Sequence, residues 1–359
     1  MNLQQKIALT KSELVSTILV FVVILFLVMS SRLSRLTSDS SLIFQEQTEM
    51  VLTDQTDLEE LILLLNNGGI DVDKEEFRWA AKILGWRTFL RGRYVFEGDY
   101  SYNGMLSKMA RGIQDPASIV ILPGSTPERV AETVSDKLHF DTEDFLSMLQ
   151  DSVFRAEQGL KEGQLFARML PETYLAYWTN SPKDFITKVL REFDRAIPES
   201  FHSRAESMGY SMDEILTLAS IVEWEAKLEE EKAMISGLYW NRLNRGMRLQ
   251  ADPTINFALG ERRRLLFEDY QIDHPYNTYL KRGLPPGPIT NPSYSTIEAT
   301  LFPEDHNYLY MVANPEGGHT FTRTFQEHQA ESEKWRIWLR EQYRIKRQRE
   351  AQEAEQAAS

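Results

Sequence analysis

From Leu14 to Met29 the chain reads LVSTILVFVVILFLVM, sixteen residues without a charge and with only Ser16 and Thr17 polar. A helix of that length rises about 24 Å, or about 27 Å with Ser30 and Ser31 included, which is enough to cross the hydrocarbon of a bilayer. Residues 14–31 are therefore expected to be a transmembrane anchor. The small-residue pattern of a signal-peptide cleavage site is poor, Val28-Met29-Ser30 being its nearest approach, so an uncleaved anchor is favoured. Lys6 and Lys11 on one side nearly balance Arg32 and Arg35 on the other, so the positive-inside rule does not orient the span. A short tail beside a large acidic domain argues for residues 1–13 in the cytoplasm. Residues 32–359 then lie outside a single-pass (inner) cell membrane.

The 359 residues hold 40 Lys and Arg against 53 Asp and Glu, a formal net charge of −13. Such a balance excludes nucleic acid as the expected partner, since that needs a concentrated basic face. With no cysteine, disulfides, thiolate metal sites and a Cys nucleophile are all unavailable. The six histidines show no paired spacing with acids of the kind metals need. No metal and no cofactor are expected.

Residues 32–56 are polar and acidic and read as a linker that feeds a strand near Glu49–Leu52. Residues 57–140 read as a small α/β domain. DLEELILLLNNGG and KEEFRWAAKILGW are helices ended by glycine, and SIVILPGSTPERV is a buried strand and turn before a helix capped at Ser125 or Thr126. Residues 141–330 form a larger mixed domain. It opens with helices at 141–154 and 182–197, broken by LPETYLAYW, and closes with a hairpin at 307–328 by alternation around Gly317-Gly318. Residues 331–359 are a charged helix and tail. The fold class is α+β.

Within the larger domain, SMDEILTLASIVEWEA (211–226) is a helix with a capping box, Ser211 and Glu214. Ile215, Leu218, Ala219, Val222 and Ala226 form one apolar stripe. At about 100° per residue, Glu223 and Glu225 fall about 80° to either side of that stripe and Trp224 points away from it. A carboxylate at such a margin can be half desolvated, which raises its pKa and makes it a proton donor near neutrality. The wheel does not separate the two glutamates.

ASIVEWEA, YWNRL (239–243), GMRLQADPT (246–254), PYNTY (275–279), GLPPGPITNP (283–292) and GGHTF (317–321) resemble, in order and spacing, the YceG-like family of MltG-type endolytic peptidoglycan transglycosylases. The resemblance covers roughly residues 74–330 and is most specific over 211–328. It implies a LysM-like membrane-proximal domain over 57–140. It also implies a membrane-tethered lyase that cleaves the β-1,4 bond between N-acetylmuramic acid and N-acetylglucosamine within nascent glycan strands, leaving 1,6-anhydro ends. The family places its acid/base on the first carboxylate of the ASIVE block, here Glu223, with Glu225 as a supporting or binding carboxylate. Trp224 stands where the family usually has Lys. Gln250, Asn277, Asp252, Asn241 and Tyr276 fall in the other blocks and are expected to bind the saccharide. His319 and His328 are expected to be structural, and Glu172 is a weaker site candidate, because the family's EG-x-(L/F)-PDTY element is longer here between Gly163 and Pro171. The implied partners are peptidoglycan strands and, through the family association, synthases of elongation or division. Two other readings remain: a non-catalytic cell-wall scaffold for those synthases, and a glycosidase using two carboxylates such as Glu223 and Asp252.

Overall fold

The computed structural model describes residues 10–38, 41–70 and 72–358; residues 1–9 of the expected cytoplasmic tail lie outside them. The chain divides into two compact units. One runs through Ala117 and takes back Leu175–Thr179; the other holds Ser118–Tyr174 and everything from Asn180 onward.

In the first unit, α1 (Lys11–Thr37) starts at a Thr10 capping box with Glu13 and includes the whole apolar run. Its apolar side chains face outward, Phe26 being 70% exposed, and it is long and apolar enough to cross a membrane. After it come β1 (Leu42–Leu52), β2 (Thr56–Asp57), α2 (Leu58–Asn67), α3 (Lys74–Leu84), β3 (Thr88–Phe89), β4 (Gly92–Tyr100) and α4 (Tyr102–Ala110). β1 pairs antiparallel with β4 from Leu42 opposite Tyr100 to Leu52 opposite Gly92, with a register shift between Phe44 and Thr48. The expected linker at 32–56 thus holds the end of α1 and an eleven-residue strand. Leu42, Phe44, Met50 and Leu52 enter a core with Phe77, Tyr94, Phe96 and Met105, while the polar residues between them face water. Those polar positions hid the strand.

The second unit begins with β5 (Ala117–Val120), whose first residue still belongs to the first unit. The division falls after Ala117, earlier than the expected boundary at 140, because Ser118–Leu138 is tied into the larger unit. The Asn291 amide donates to the carbonyls of Leu122 (3.1 Å) and Met169 (2.9 Å) and accepts from the Ser125 N–H (2.8 Å). The helices α5 (Pro127–Ser135), α6 (Thr142–Gln150), α7 (Ser152–Glu157) and α8 (Gln164–Ala167) lead to β6 (Thr173–Ala176). Asp151, extended and capping α7, splits what the sequence suggests is one helix over 141–154. Then follow α9 (Pro182–Ala196), α10 (Glu199–Met208), α11 (Met212–Glu225), α12 (Lys232–Asn244), α13 (Asp252–Leu259), α14 (Tyr294–Leu301), the hairpin β7 (Tyr310–Ala313) and β8 (His319–Thr322), and α15 (Phe325–Ala358).

The organising element is α11. Ser211 and Glu214 form the expected capping box, but the helix does not bury one stripe. Every residue from Ile215 to Val222 is buried, because α8, α10, α12, α13 and α14 enclose it. A helix that is apolar all round belongs inside a domain. Ile215, Leu218, Ile221 and Val222 are each wholly inaccessible, and burial of each contributes about 1.5–3 kcal/mol. The helix emerges only at its two ends, and its last turn carries Glu223, Trp224 and Glu225.

Gly237 in α12 sets how closely that helix meets the loop before β7: a Cβ there would lie 2.5 Å from the Glu304 carbonyl oxygen and 2.8 Å from His306 Nε2. Gly237→Ala must therefore displace backbone. We expect it to lower stability by about 2 kcal/mol, read as a fall in thermal midpoint of the purified protein.

Candidate active site

The two glutamates leave α11 in different directions and meet opposite electrostatics. Glu223 turns toward the N-terminus of α14. Its Oε2 accepts from the Ser293 N–H (2.9 Å), the Ser293 hydroxyl (2.7 Å) and the Thr296 hydroxyl, and its Oε1 lies 3.7 Å from Lys232 Nζ. Both side chains of this ion pair are nearly inaccessible, 7% for Glu223 and 8% for Lys232. A carboxylate against a helix N-terminus is stabilised by unpaired N–H groups and the positive end of the dipole. Lys232 also reaches Glu229 Oε2 (2.6 Å) and the hydroxyls of Ser293 and Ser295 (3.2 Å each). Glu223 thus ties α11 to α12 and α14.

Glu225 is the last residue of α11, at the end where the helix dipole disfavours negative charge. It lines a cavity of about 410 Å³, whose walls include Tyr239, Arg242, Gln250, Asp252, Tyr279, Tyr310 and His328. The Tyr239 hydroxyl donates to its Oε1 at 3.0 Å. Burial is the largest influence on its proton and pushes the pKa up to about 7. The Tyr239 hydrogen bond opposes this, the charge of Asp252 adds to it, and Arg242 opposes it. A carboxyl poised near neutrality can give a proton and take one back. Glu225 thus lines the cavity, while Glu223 is held between the start of α14 and Lys232.

Gln250 and Asp252 join Glu225 in the cavity, as the block pattern suggests. Gln250 has φ 52°, the one left-handed non-glycine among the described residues. Such a conformation costs roughly 1–3 kcal/mol and persists where neighbours over-determine it. Here Thr278 does so, accepting from the Gln250 N–H through its carbonyl (3.2 Å) and from the Ala251 N–H through its hydroxyl (3.0 Å). Asp252 is the first residue of α13, and its carboxylate accepts from the hydroxyls of Tyr279 (2.5 Å) and Tyr270 (3.4 Å).

The other expected saccharide ligands lie elsewhere. Asn277 is fully buried: its amide donates to the carbonyls of Tyr270 (3.1 Å) and Ile272 (2.8 Å), and its oxygen accepts from the Tyr279 N–H (2.9 Å). It shapes the loop that aims the tyrosines at Asp252. Asn241 donates to the carbonyls of His306 (2.7 Å) and Tyr308 (3.2 Å) beside a different pocket. Tyr276 packs on Phe257, ring centroids 4.5 Å apart. Glu172 offers its carbonyl to the Ile121 N–H.

Trp224 is half-buried rather than turned to solvent. Its indole N–H donates to the Gly124 carbonyl (2.9 Å) and the Arg262 guanidinium sits over its ring at 5.3 Å, because the turn at Leu122–Ser125 covers that side of α11. His319 bonds Glu231 through Nδ1 (2.8 Å) and its own N–H (2.7 Å). His328 stacks on Tyr310 with a buried Nδ1 that has no hydrogen-bond partner, and burial lowers its pKa. Sequence reasoning missed Tyr239, Tyr270, Tyr279 and Arg242. Tyr239, Arg242 and Tyr279 stood within the quoted blocks, but no spacing distinguishes them from packing residues.

Known proteins resemble this chain over most of its length. Residues 50–334 match the model of a family described as the YceG-like family. The chain is 30% identical over 287 residues to the endolytic murein transglycosylase of Bacillus subtilis, covering 74% of this chain and 79% of that one. It is 28% identical over 308 residues to the endolytic murein transglycosylase of Streptococcus pneumoniae, covering 76% of this chain but only 55% of the relative. Among solved structures, a YceG-like protein of Listeria monocytogenes is similar with a TM-score of 0.57 and 28% identity, over 79% of this chain and 98% of that one.

The raised pKa of Glu225 has a stability consequence. An acid whose folded pKa of about 7 lies above its ordinary 4.5 binds more protons folded than unfolded between those values. Its contribution to stability is therefore present below about 4.5 and is lost as pH rises to about 7. Glu225→Gln has no such proton to lose. Relative to the native chain it should gain about 1–3 kcal/mol between pH 4.5 and 7 and then level off, measured by chemical denaturation across pH.

Proposed function

This chain belongs to the YceG-like family, and on that premise we propose that it is a membrane-anchored endolytic peptidoglycan transglycosylase with Glu223 as its acid/base and Glu225 as a supporting or binding carboxylate. The residue assignment is carried by Glu223's place as the first carboxylate of the ASIVE block, at the turn where α11 leaves the core, with Lys232 Nζ 3.7 Å away. The enzymatic class rests on the murein transglycosylases to which the chain is similar. α1 is the natural tether, leaving both folded units on the side of the wall.

In the proposed reaction the carboxyl of Glu223 gives a proton to the glycosidic oxygen. The bond from that oxygen to C1 of the muramoyl residue breaks, and C1 and the ring oxygen share the positive charge. The resulting carboxylate takes the proton of the muramoyl 6-hydroxyl as that oxygen bonds to C1. The proton count closes on Glu223, the leaving strand ends in a free 4-hydroxyl, and the muramoyl residue becomes a 1,6-anhydro end. One group acts first as acid and then as base, so no second carboxylate is needed to move protons, in contrast to hydrolysis. Gln250 beside Glu225 supplies an amide for sugar hydroxyl or acetamido groups, and Tyr279 and Tyr310 supply aromatic surface.

Digestion of purified peptidoglycan followed by mass analysis of the muropeptides tests the reading. Anhydro-muramoyl ends are expected; reducing ends would mean hydrolysis, and no release would mean a scaffold. Glu223→Gln should lower release roughly 10²–10⁴-fold. Glu225→Gln should lower it less and still leave anhydro ends. Full release by a Glu223→Gln chain whose thermal midpoint shows it folded would overturn the assignment.

A further inference from the structure

The two oxygens of the Glu223 carboxyl have unlike surroundings. Oε2 accepts three bonds from the start of α14: the Ser293 N–H (2.9 Å), the Ser293 hydroxyl (2.7 Å) and the Thr296 hydroxyl. Oε1 has no hydrogen-bond donor among the described residues, and its ion-pair partner Lys232 Nζ stands 3.7 Å away, beyond hydrogen-bond reach. The donors of Lys232 are committed elsewhere. Nζ meets Glu229 Oε2 at 2.6 Å and donates to the hydroxyls of Ser293 and Ser295 at 3.2 Å each, three contacts that match the three donors of a lysine. The Ser293 oxygen also receives the Thr296 N–H (3.4 Å), so its one proton is left for Glu223 Oε2. Lys232 thereby sets the direction of the hydroxyl that grips the carboxyl. It is 6% exposed, and lysine is almost never buried so deeply unless paired.

We propose that Lys232 is a positioning residue for the acid/base: it directs the Ser293 hydroxyl onto Oε2 and so presents Oε1 as the oxygen that gives and takes the proton of the glycan. The inference rests on the transglycosylase reading above, with Glu223 as acid/base, and deepens it. The step is the one already written. Oε1 protonates the glycosidic oxygen as C1–O4 breaks, then takes the 6-hydroxyl proton as C1–O6 forms. Lys232 exchanges no proton with the substrate, and its contribution is geometric. A carboxyl anchored through three bonds to one oxygen keeps the other oxygen in a fixed place, and a misplacement of about 1 Å at a reacting group costs on the order of 10²-fold in rate. Glu229, in the 3₁₀ turn Glu229–Glu231 and with a side chain 63% exposed, is the outer support that holds Lys232 off Oε1.

The test uses the full chain in detergent with purified peptidoglycan. Lys232→Met keeps an unbranched buried side chain and removes its donors. We expect kcat to fall on the order of 10²-fold, with KM within about threefold of the native value and anhydro ends still the product. Lys232→Arg restores donors for the same acceptors and should regain roughly a tenth or more of the native kcat. Glu229→Gln loosens Lys232 from the exposed side and should lower kcat by about three- to tenfold at an unchanged thermal midpoint. A kcat for folded Lys232→Met within about threefold of native overturns the proposal, and so does a loss confined to KM, which would mark Lys232 as a saccharide ligand. A Lys232→Arg chain as slow as Lys232→Met overturns it as well. Should Lys232→Met fail to fold, Glu229→Gln decides, and a native kcat there overturns the proposal. An inactive Glu223→Gln beside any of these results leaves the parent reading standing. Absence of anhydro ends from the native chain would instead overturn both.

Discussion

Enclosure of α11 on every side is the constraint from which the site follows. Because Ile215 through Val222 are buried without a solvent face, the helix can present polar groups only at its ends, and its last turn carries the two glutamates. There Glu223 and Glu225 diverge by the helical repeat, about 160° to 200° apart around the axis. One direction leads to the N-terminus of α14, which offers N–H groups and a favourable dipole. The other leads to the cavity floor beside Tyr239. Two residues of identical chemistry thereby acquire different surroundings: one is held by hydroxyl and N–H donors and Lys232, the other lines a cavity.

The same division of labour runs through the blocks that follow. Ser220 accepts from the Ile289 N–H (2.9 Å), Thr290 donates to the Ser125 carbonyl (2.7 Å), and Asn291 ties Leu122 and Met169. These contacts fasten the GLPPGPITNP segment and the Leu122–Ser125 turn around α11, and Trp224 adds its bond to Gly124. Thr278 and Asn277 hold the strained Gln250 and the tyrosine pair. The cavity residues are few, and the polar residues that shape their surroundings outnumber them.

Much of the fold was readable from local rules. The apolar run, the capping box at Ser211, the Thr126 cap with Pro127 behind it and the Gly317-Gly318 hairpin all have short-range causes, and each element lies where those causes put it. The strand at Leu42–Leu52 was only partly readable, because its polar alternate positions look like linker until β4 supplies a pairing edge. The break at Asp151 was obscured because an apolar spacing continues across it.

For the site, the sequence by itself determined the residue inventory: two carboxylates at the end of one helix, an ordered set of blocks shared with the YceG-like family, and an anchor-like first helix. It also determined that the carboxylates lie on opposite margins. Tertiary structure alone decided which margin is open. Spacing along a helix gives angles, but a carboxyl's pKa and role depend on what packs against it. Those neighbours, Ser293 and Thr296 for Glu223 and Tyr239 and Asp252 for Glu225, come from segments 14 to 73 residues away in the chain. The same long-range packing turned Asn277 and Asn241 into backbone ties and brought Tyr270 and Tyr279 to Asp252. No local pattern records such contacts, because they exist only once the chain has closed on itself.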